Sequence, residues 1–531
     1  MARSTAWILL AGLTSACGNI ASGSKDAATT NETSTSVVNG SQESGAVADG
    51  DFADDASDAS LDSGPGSIDA SGVDSAGPGD TSLEASVPGS VTVIPSVVLA
   101  RIGPGFAGLS YEKSHLIGNL FSGSNTALIA MLRLLGPSVL RVGGNSVDET
   151  LWQAADAGTS TADAAAPSII TKGDVDGLAA LTKAAAWSVI YGVNMKTSTP
   201  ALAADEAAYA ATDLAGNLLG FEIGNEVDLY KSTLISPTWS YAIFKAQWES
   251  FASAIRASGP GANAPLTGPA AASNYEGYTI PFAADEASRI LLLTQHYYRA
   301  NGMLATSTLD LLLRADPGLV TMLEALSTAS LKSAIVDGYR CSECNSFYNG
   351  GASGVSDAYG TALWGIDFLF TNARYGASGV NFHGGGNGPG YTPIADANGA
   401  VVGARPLYYG MLLFTLAGTG SLYETEVSVA NLNFTAYAVG PADGSTNVVL
   451  VNKDAATTAH ITLDVGRPVS AATITRLQGP ALDATTGTTL GGASVTAMGT
   501  WSPQTPGNAP VSGSRVTIDV PPASAALVKT Q

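Results

Sequence analysis

A (β/α)8 barrel followed by a C-terminal antiparallel β-sandwich is the fold class this 531-residue sequence predicts, and three observations predict it. Between residues 105 and 385, eight short β-rich runs alternate with stretches of helical periodicity, the pattern of a parallel barrel whose strands are joined by helices. Beyond residue 420 the pattern turns to period-two alternation broken by turn residues, which reads as antiparallel sheet. The ends of the barrel runs carry polar and charged side chains, although strands buried on both faces should stay apolar. That end of a barrel is where active sites are built.

The runs are FAGLSYE at 106–112, VLRVGG from 139, WSVIYGVNM from 187, LLGFEIGNE from 218, APLTGPAAA from 264, ILLLTQHYY from 290, LKSAIVDGYRCSE from 331 and SGVNFHGG from 378. Among the helices, 356–376 has Leu363, Ile366, Phe370 and Ala373 at spacings of three and four, behind a Ser356 able to cap it. Residues 403–418 read as the last helix of a barrel spanning 105–419. Residues 420–531 make the sandwich, and 91–104 add one strand to it. Upstream, residues 1–17 combine one basic residue, a short apolar stretch and small residues ending at Cys17, the pattern of a secretory signal too short to span a bilayer. A cysteine there predicts lipoprotein processing with Cys17 lipidated; an ordinary signal peptide is the alternative. Residues 18–90 hold 13 acidic residues and one basic among Ser, Ala, Gly and Thr, too little apolar surface to fold, so they predict a disordered acidic linker. Together these segments predict an exported protein, tethered at a bacterial cell surface or outer membrane, or else secreted or periplasmic.

The strand ends supply candidate chemistry. Glu112 closes the first run, Asn145 follows the second, Asn225 and Glu226 the fourth, His296 and Tyr298 the sixth, and Glu343 lies near the end of the seventh. Hydrolysis of a glycosidic bond needs two carboxyl groups flanking it, one to protonate the leaving oxygen and one to attack or stabilise the anomeric carbon. Glu226 and Glu343, on strands four and seven, can face each other across a barrel mouth at about 5 Å, the spacing of retaining enzymes. Glu226 is then the acid/base, and Asn225 can hydrogen-bond the sugar 2-hydroxyl.

GNE after strand four, HYY after strand six, and SECNSFYNGGASGVSDAYGTALWGIDFLF followed by GVNFHGG resemble the heparanase and microbial β-glucuronidase family of retaining glycoside hydrolases. The resemblance runs from about residue 105 through the sandwich and implies cleavage of β-linked glucuronic acid. It implies Glu226 as acid/base, Glu343 as nucleophile and Tyr298 as the tyrosine that holds the nucleophile. It also implies that the glucuronate carboxylate is met by backbone amides of Gly350 and Gly351 and by Tyr391; glycine-rich loops can cradle an anion in this way without a side-chain cation. Two departures stand out: Val227 and Asp228 follow the glutamate where a proline is usual, and cysteines bracket Glu343.

Other classes are excluded or set apart. There is no Lys/Arg cluster to meet the phosphates of a nucleic acid. No two of the four histidines are close in sequence and no ligand cluster appears, so no metal and no cofactor are expected. His296 and His383 read as hydrogen-bonded walls of the site. Cys341 and Cys344 fit a disulfide or two free thiols; on a regular strand they point to opposite faces, so pairing requires the strand to end between them. The expectation is a retaining β-glucuronidase with a carbohydrate partner, no membrane contact beyond the lipid, and an oligomeric state the sequence leaves open. Alternatives are a retaining β-glucosidase or β-xylosidase on the same scaffold and a catalytically silent glycan-binding lipoprotein.

Overall fold

The computed structural model describes residues 86–153, 168–233, 236–388 and 390–531. The signal, Cys17 and nearly all of the acidic segment lie outside the described residues.

Eight parallel strands close into a barrel: Ala107–Glu112, Val139–Gly143, Ser188–Val193, Leu218–Ile223, Leu266–Ala271, Leu292–Asn301, Tyr339–Tyr348 and Gly379–Gly384. The last pairs with the first, Val380 opposite Ala107 through Gly384 opposite Tyr111. A helix of the outer layer follows each strand, from Thr126–Leu134 to Pro406–Ala417. Their starts carry the local signals the sequence offers. Asn125, Thr199 and Asp316 each accept a backbone N–H of the first turn, and Thr171 forms a capping box with Asp174.

Two local expectations are corrected. The seventh strand starts at Tyr339, because 331–332 end the helix Pro317–Lys332 and a turn through Gly338 (φ 69°) follows. The apolar residues that suggested strand, Leu331 and Val336, are exposed. The helix after it is Gly360–Arg374, and Ser356 does not cap it: its hydroxyl oxygen instead accepts from the Ala352 N–H (2.9 Å) and the Ser346 hydroxyl (2.8 Å).

The seventh strand also contains a β-bulge. Cys341 pairs with Gln295 and Glu343 with His296, so Ser342 is the extra residue. A bulge resets the alternation of side chains. Arg340 and Glu343, three apart, therefore both point into the barrel, where they meet Asn381 and Arg141. Cys341 and Cys344 share the opposite face as buried free thiols; the strand does not end between them, and no disulfide forms.

The C-terminal domain is one folded sheet of 11 strands. Its first strand, Ser86–Ile102, comes from before the barrel, so residues 86–90, read from composition as linker, are strand. It pairs antiparallel with Gly420–Val429 and parallel with Thr458–Asp464, which makes the domain mostly rather than wholly antiparallel. Strand Thr446–Asn452 is buried on both faces: Val448 and Leu450 face the core of the sheet domain, Val449 and Val451 the core shared with the barrel helices. Asp367, on helix Gly360–Arg374, adds a polar tie by accepting from Thr435 (2.6 Å), Tyr437 (2.9 Å) and Lys453.

Candidate active site

The mouth of the barrel gathers the polar residues from the strand ends. One carboxylate oxygen of Glu226, one of Glu343 and a ring nitrogen of His296 all lie within 4.8 Å of one another. The two glutamates differ in surroundings. Glu343 accepts from Arg141 Nη1 on Oε2 (2.6 Å) and from the Tyr298 hydroxyl on Oε1 (2.9 Å), and its side chain is 8% exposed. Glu226 faces His296 Nδ1 at 3.3 Å and is 20% exposed. Burial would raise the pKa of Glu343, but His383, His296 and Arg141, with the Tyr298 hydrogen bond, hold it well below the usual carboxylate range.

Arg141 organises the floor. Its Nε donates to Glu222 (2.5 Å), Nη1 also reaches Ser110 (3.2 Å), and Nη2 donates to Asn225 Oδ1 (2.9 Å). Glu222 is fully buried within the fourth strand. A buried carboxylate needs a cation, so the Glu in LLGFEIG and the Arg in VLRVGG are a signal the sequence carried and the site list above lacks. His383, expected only as a wall, sits closer to the chemistry than that. Its Nδ1 lies 3.1 Å from Ser110 Oγ and 3.8 Å from Glu343 Oε2, and its Nε2 lies 3.5 Å from Glu112. Burial disfavours the imidazolium, but Glu343 and Glu112 outweigh it and raise the His383 pKa.

Of the remaining residues, Glu112 accepts the backbone N–H groups of Asn145 (3.2 Å) and Ser146 (2.7 Å). Asn145 Oδ1 in turn accepts from Asn225 Nδ2 (3.3 Å). His296 stands as a wall of the site: its side chain is fully buried beside the two glutamates. A cavity of about 320 Å³ opens beside them, lined by Glu112, His115, His383, Tyr391, Thr392 and a run of glycines that includes Gly350. Tyr391 packs against Tyr298 and His383, with ring centroids 5.9 and 6.1 Å apart. Gly350 (φ 79°) has open space on its Cα side and accepts the Tyr391 N–H (3.3 Å). Gly351 is not among the lining residues; it packs against Ser356, where a Cβ would come within 2.7 Å. Larger surface grooves of about 600 and 660 Å³ lie around Leu482 and around Trp501, but neither collects a carboxylate pair.

Sequence distance misled on one point: His296 and His383, far apart in the chain, both flank Glu343. Glu226, His296 and Glu343 are close enough to share a cation. The donor set fits one poorly, because both oxygens of Glu343 already accept, one from a guanidinium at 2.6 Å.

Comparison with known proteins agrees with this architecture. Residues 436–527 match the glycosyl hydrolase family 79 C-terminal beta domain. A β-glucuronidase of Aspergillus niger is 26% identical over 387 residues, 66% of this chain and 69% of that protein. The chain is thus similar to glycosyl hydrolase family 79 over its sheet domain and to a β-glucuronidase over about two thirds of its length. These likenesses point to a glycoside hydrolase. A β-glucuronidase of Neurospora crassa is 33% identical over 125 residues, which span 21% of this chain and only 22% of that relative. In fold, it is similar to a 4-O-α-L-rhamnosyl-β-D-glucuronidase of Fusarium oxysporum 12S (TM-score 0.68, 21% identity, 84% of this chain and 100% of the other). It is also similar to an α-L-arabinofuranosidase of Thermotoga maritima (TM-score 0.62, 15% identity, 83% and 100%).

Proposed function

We propose that this protein is a glycoside hydrolase, a retaining β-glucuronidase that releases terminal β-linked glucuronic acid by double displacement. The observation that carries the proposal is the pair Glu226 and Glu343, with carboxylate oxygens within 4.8 Å and unlike surroundings. That separation suits the retaining class, in which no water needs room between the carboxyls. Glu343, kept ionised by Arg141 and Tyr298, attacks the anomeric carbon and forms the glycosyl ester. Glu226, more exposed and facing no arginine in its ion pairs, gives its proton to the leaving oxygen. It then takes a proton from the water that cleaves the ester. Asn225, fixed by Arg141 and Asn145, meets the 2-hydroxyl; Glu112 accepts from a ring hydroxyl in the cavity.

The choice of glucuronide over a neutral glycoside rests on the names of the two curated relatives and on the glycine-rich wall with Tyr391. Backbone N–H groups of a glycine-rich loop can surround a carboxylate while Tyr391 donates to it. The test is a panel of aryl β-glycosides. The glucuronide should be turned over at least tenfold faster than the glucoside or xyloside, and a neutral glycoside leading the panel would move the enzyme to another substrate. We also propose, from residues 1–17 alone, export with lipid attachment at Cys17. Palmitate labelling that persists in Cys17→Ser would refute it.

A further inference from the structure

The turn that presents Glu226 is held in an uncommon shape. Gly224 has φ 86°, and Glu226 itself is left-handed at φ 49° and ψ 47°, a conformation that costs a non-glycine residue free energy and persists only where its surroundings enforce it. Three contacts pin its ends: the Gly224 N–H donates to Val193 O (2.9 Å), the Glu226 N–H to Ala270 O (2.8 Å) and the Leu229 N–H to Glu226 O (2.8 Å). Nothing in that set grips the peptide between Gly224 and Asn225.

A tyrosine outside the reacting centre does. Tyr230, buried, folds back so that its hydroxyl oxygen accepts the Asn225 N–H at 3.4 Å, and the same oxygen would lie 3.1 Å from a Cβ placed on Gly224. The hydroxyl hydrogen is given to Asp148 Oδ2 at 2.5 Å. Because that hydrogen is committed to a carboxylate, the oxygen is free to act only as an acceptor toward the turn. Asp148 is buried, its second oxygen has no partner, and it sits on the 145–149 turn that also offers Asn145 to the Asn225 side chain. The Tyr230 ring is backed by Trp239 (centroids 5.1 Å apart), whose Nε1 donates to Val227 O at 2.8 Å. On the far side of the loop, Asp228 accepts three backbone N–H groups, from Ala272, Ser273 and Asn274 (2.7 to 3.0 Å).

We propose that Tyr230 and Asp148 form a positioning couple that fixes the backbone of the 224–226 turn and so aims the Glu226 carboxyl at the leaving-group oxygen. Neither touches the reacting atoms. The inference rests on the reading of Glu226 as acid/base given above, and it concerns protonation of the leaving group, not attack by Glu343. A loosened turn therefore harms substrates that need a proton and spares those that do not.

The experiment measures kcat/KM of Tyr230→Phe on two β-glycosides of the sugar the enzyme prefers, one with an activated nitrophenyl leaving group and one with an alkyl leaving group. The alkyl substrate should slow roughly tenfold or more while the nitrophenyl substrate changes less than about twofold. Asp148→Asn keeps an oxygen for the Tyr230 hydroxyl and should remain near wild type on both. Equal losses on both substrates, or no loss on either, would overturn the proposal. If Tyr230→Phe does not fold, Asp148→Ala, which strips the acceptor and leaves the ring, takes its place with the same two outcomes. Because the sugar is whichever one the wild-type enzyme cleaves, failure of the glucuronide assignment and failure of this inference give different results. A Glu226→Gln enzyme that treats both leaving groups alike would instead show that Glu226 is not the acid.

Discussion

Glu343 is a carboxylate with both oxygens engaged, by Arg141 and by Tyr298, and with two imidazoles within 4 Å of it. If it is the nucleophile proposed above it cannot be replaced: Glu343→Ala should lower turnover by roughly 10⁴-fold or more while the protein stays folded. Azide added to that variant should restore product as the α-glycosyl azide, since a small anion then attacks the face the carboxylate has vacated. Activity near wild type would reassign the residue. Tyr391 tests the other end of the sugar. Losing one hydrogen bond to a charged group costs about 1.5–3 kcal/mol, so Tyr391→Phe should slow glucuronide cleavage roughly ten- to a hundredfold. Cleavage of the matching glucoside should hardly change; a parallel loss on both would leave Tyr391 a loop support. At this scale the two glutamates, Asn225 and Tyr298 were legible because strand-end polar residues stand out against apolar runs. Arg141, Glu222 and His383 were harder to place, since their partners lie on other strands and pairing between Arg141 and Glu222 spans 81 residues.

The seventh strand shows what a linear pattern conceals at the level of an element. A strict period of two puts residues 340 and 343 on opposite faces, and the register slip at Ser342 puts both inside, so the alignment of Glu343 with Arg141 depends on one inserted residue. No residue type at 342 announces a bulge. The loop after the second strand carries a second consequence. Burial pushes the pKa of Asp148 up to about 7, against the hydrogen bond from Tyr230 and the charge of Lys196. The folded state thus binds this proton more tightly than the unfolded chain, whose aspartate titrates near 4. Stability from this group is present at low pH and lost as pH rises from about 4 to about 7. Asp148→Asn, which cannot ionise, should therefore gain stability relative to wild type as denaturant unfolding is repeated from pH 5 to pH 8. A difference between the two proteins that stays flat across that range would mean Asp148 titrates normally. Glu343 acts with the opposite sign: its stabilisation is complete above the ordinary carboxylate range and is lost as pH falls below that range toward its depressed folded-state pKa.

Across the whole molecule, barrel and sheet domain share a core, and the eight-strand count and the change of period beyond residue 420 made both domains readable in advance. Their joint was not, because it depends on Asp367, Tyr437 and Lys453 converging from separate elements. Lys453 is buried, so Asp367→Ala should destabilise the protein by about 3 kcal/mol through the unpaired ammonium. Its kcat on a small glycoside at 25 °C should be retained; unchanged stability would show the tie to be incidental. Charge bears on which of the proposed substrates are accepted. Residues 91–531 carry a net charge of −10, and the cavity lining holds Glu112 but neither lysine nor arginine. A dense polyanion such as heparan sulfate is repelled by such a surface, so its chain length should hold during incubation while a small glucuronide is hydrolysed. Rapid shortening would point to endo action. The central claim, a double displacement through Glu343, is tested most directly by following the anomeric proton by NMR as an aryl β-glucuronide is cleaved. The account predicts that the β-anomer of glucuronic acid appears first and then mutarotates; an α-anomer appearing first would contradict it.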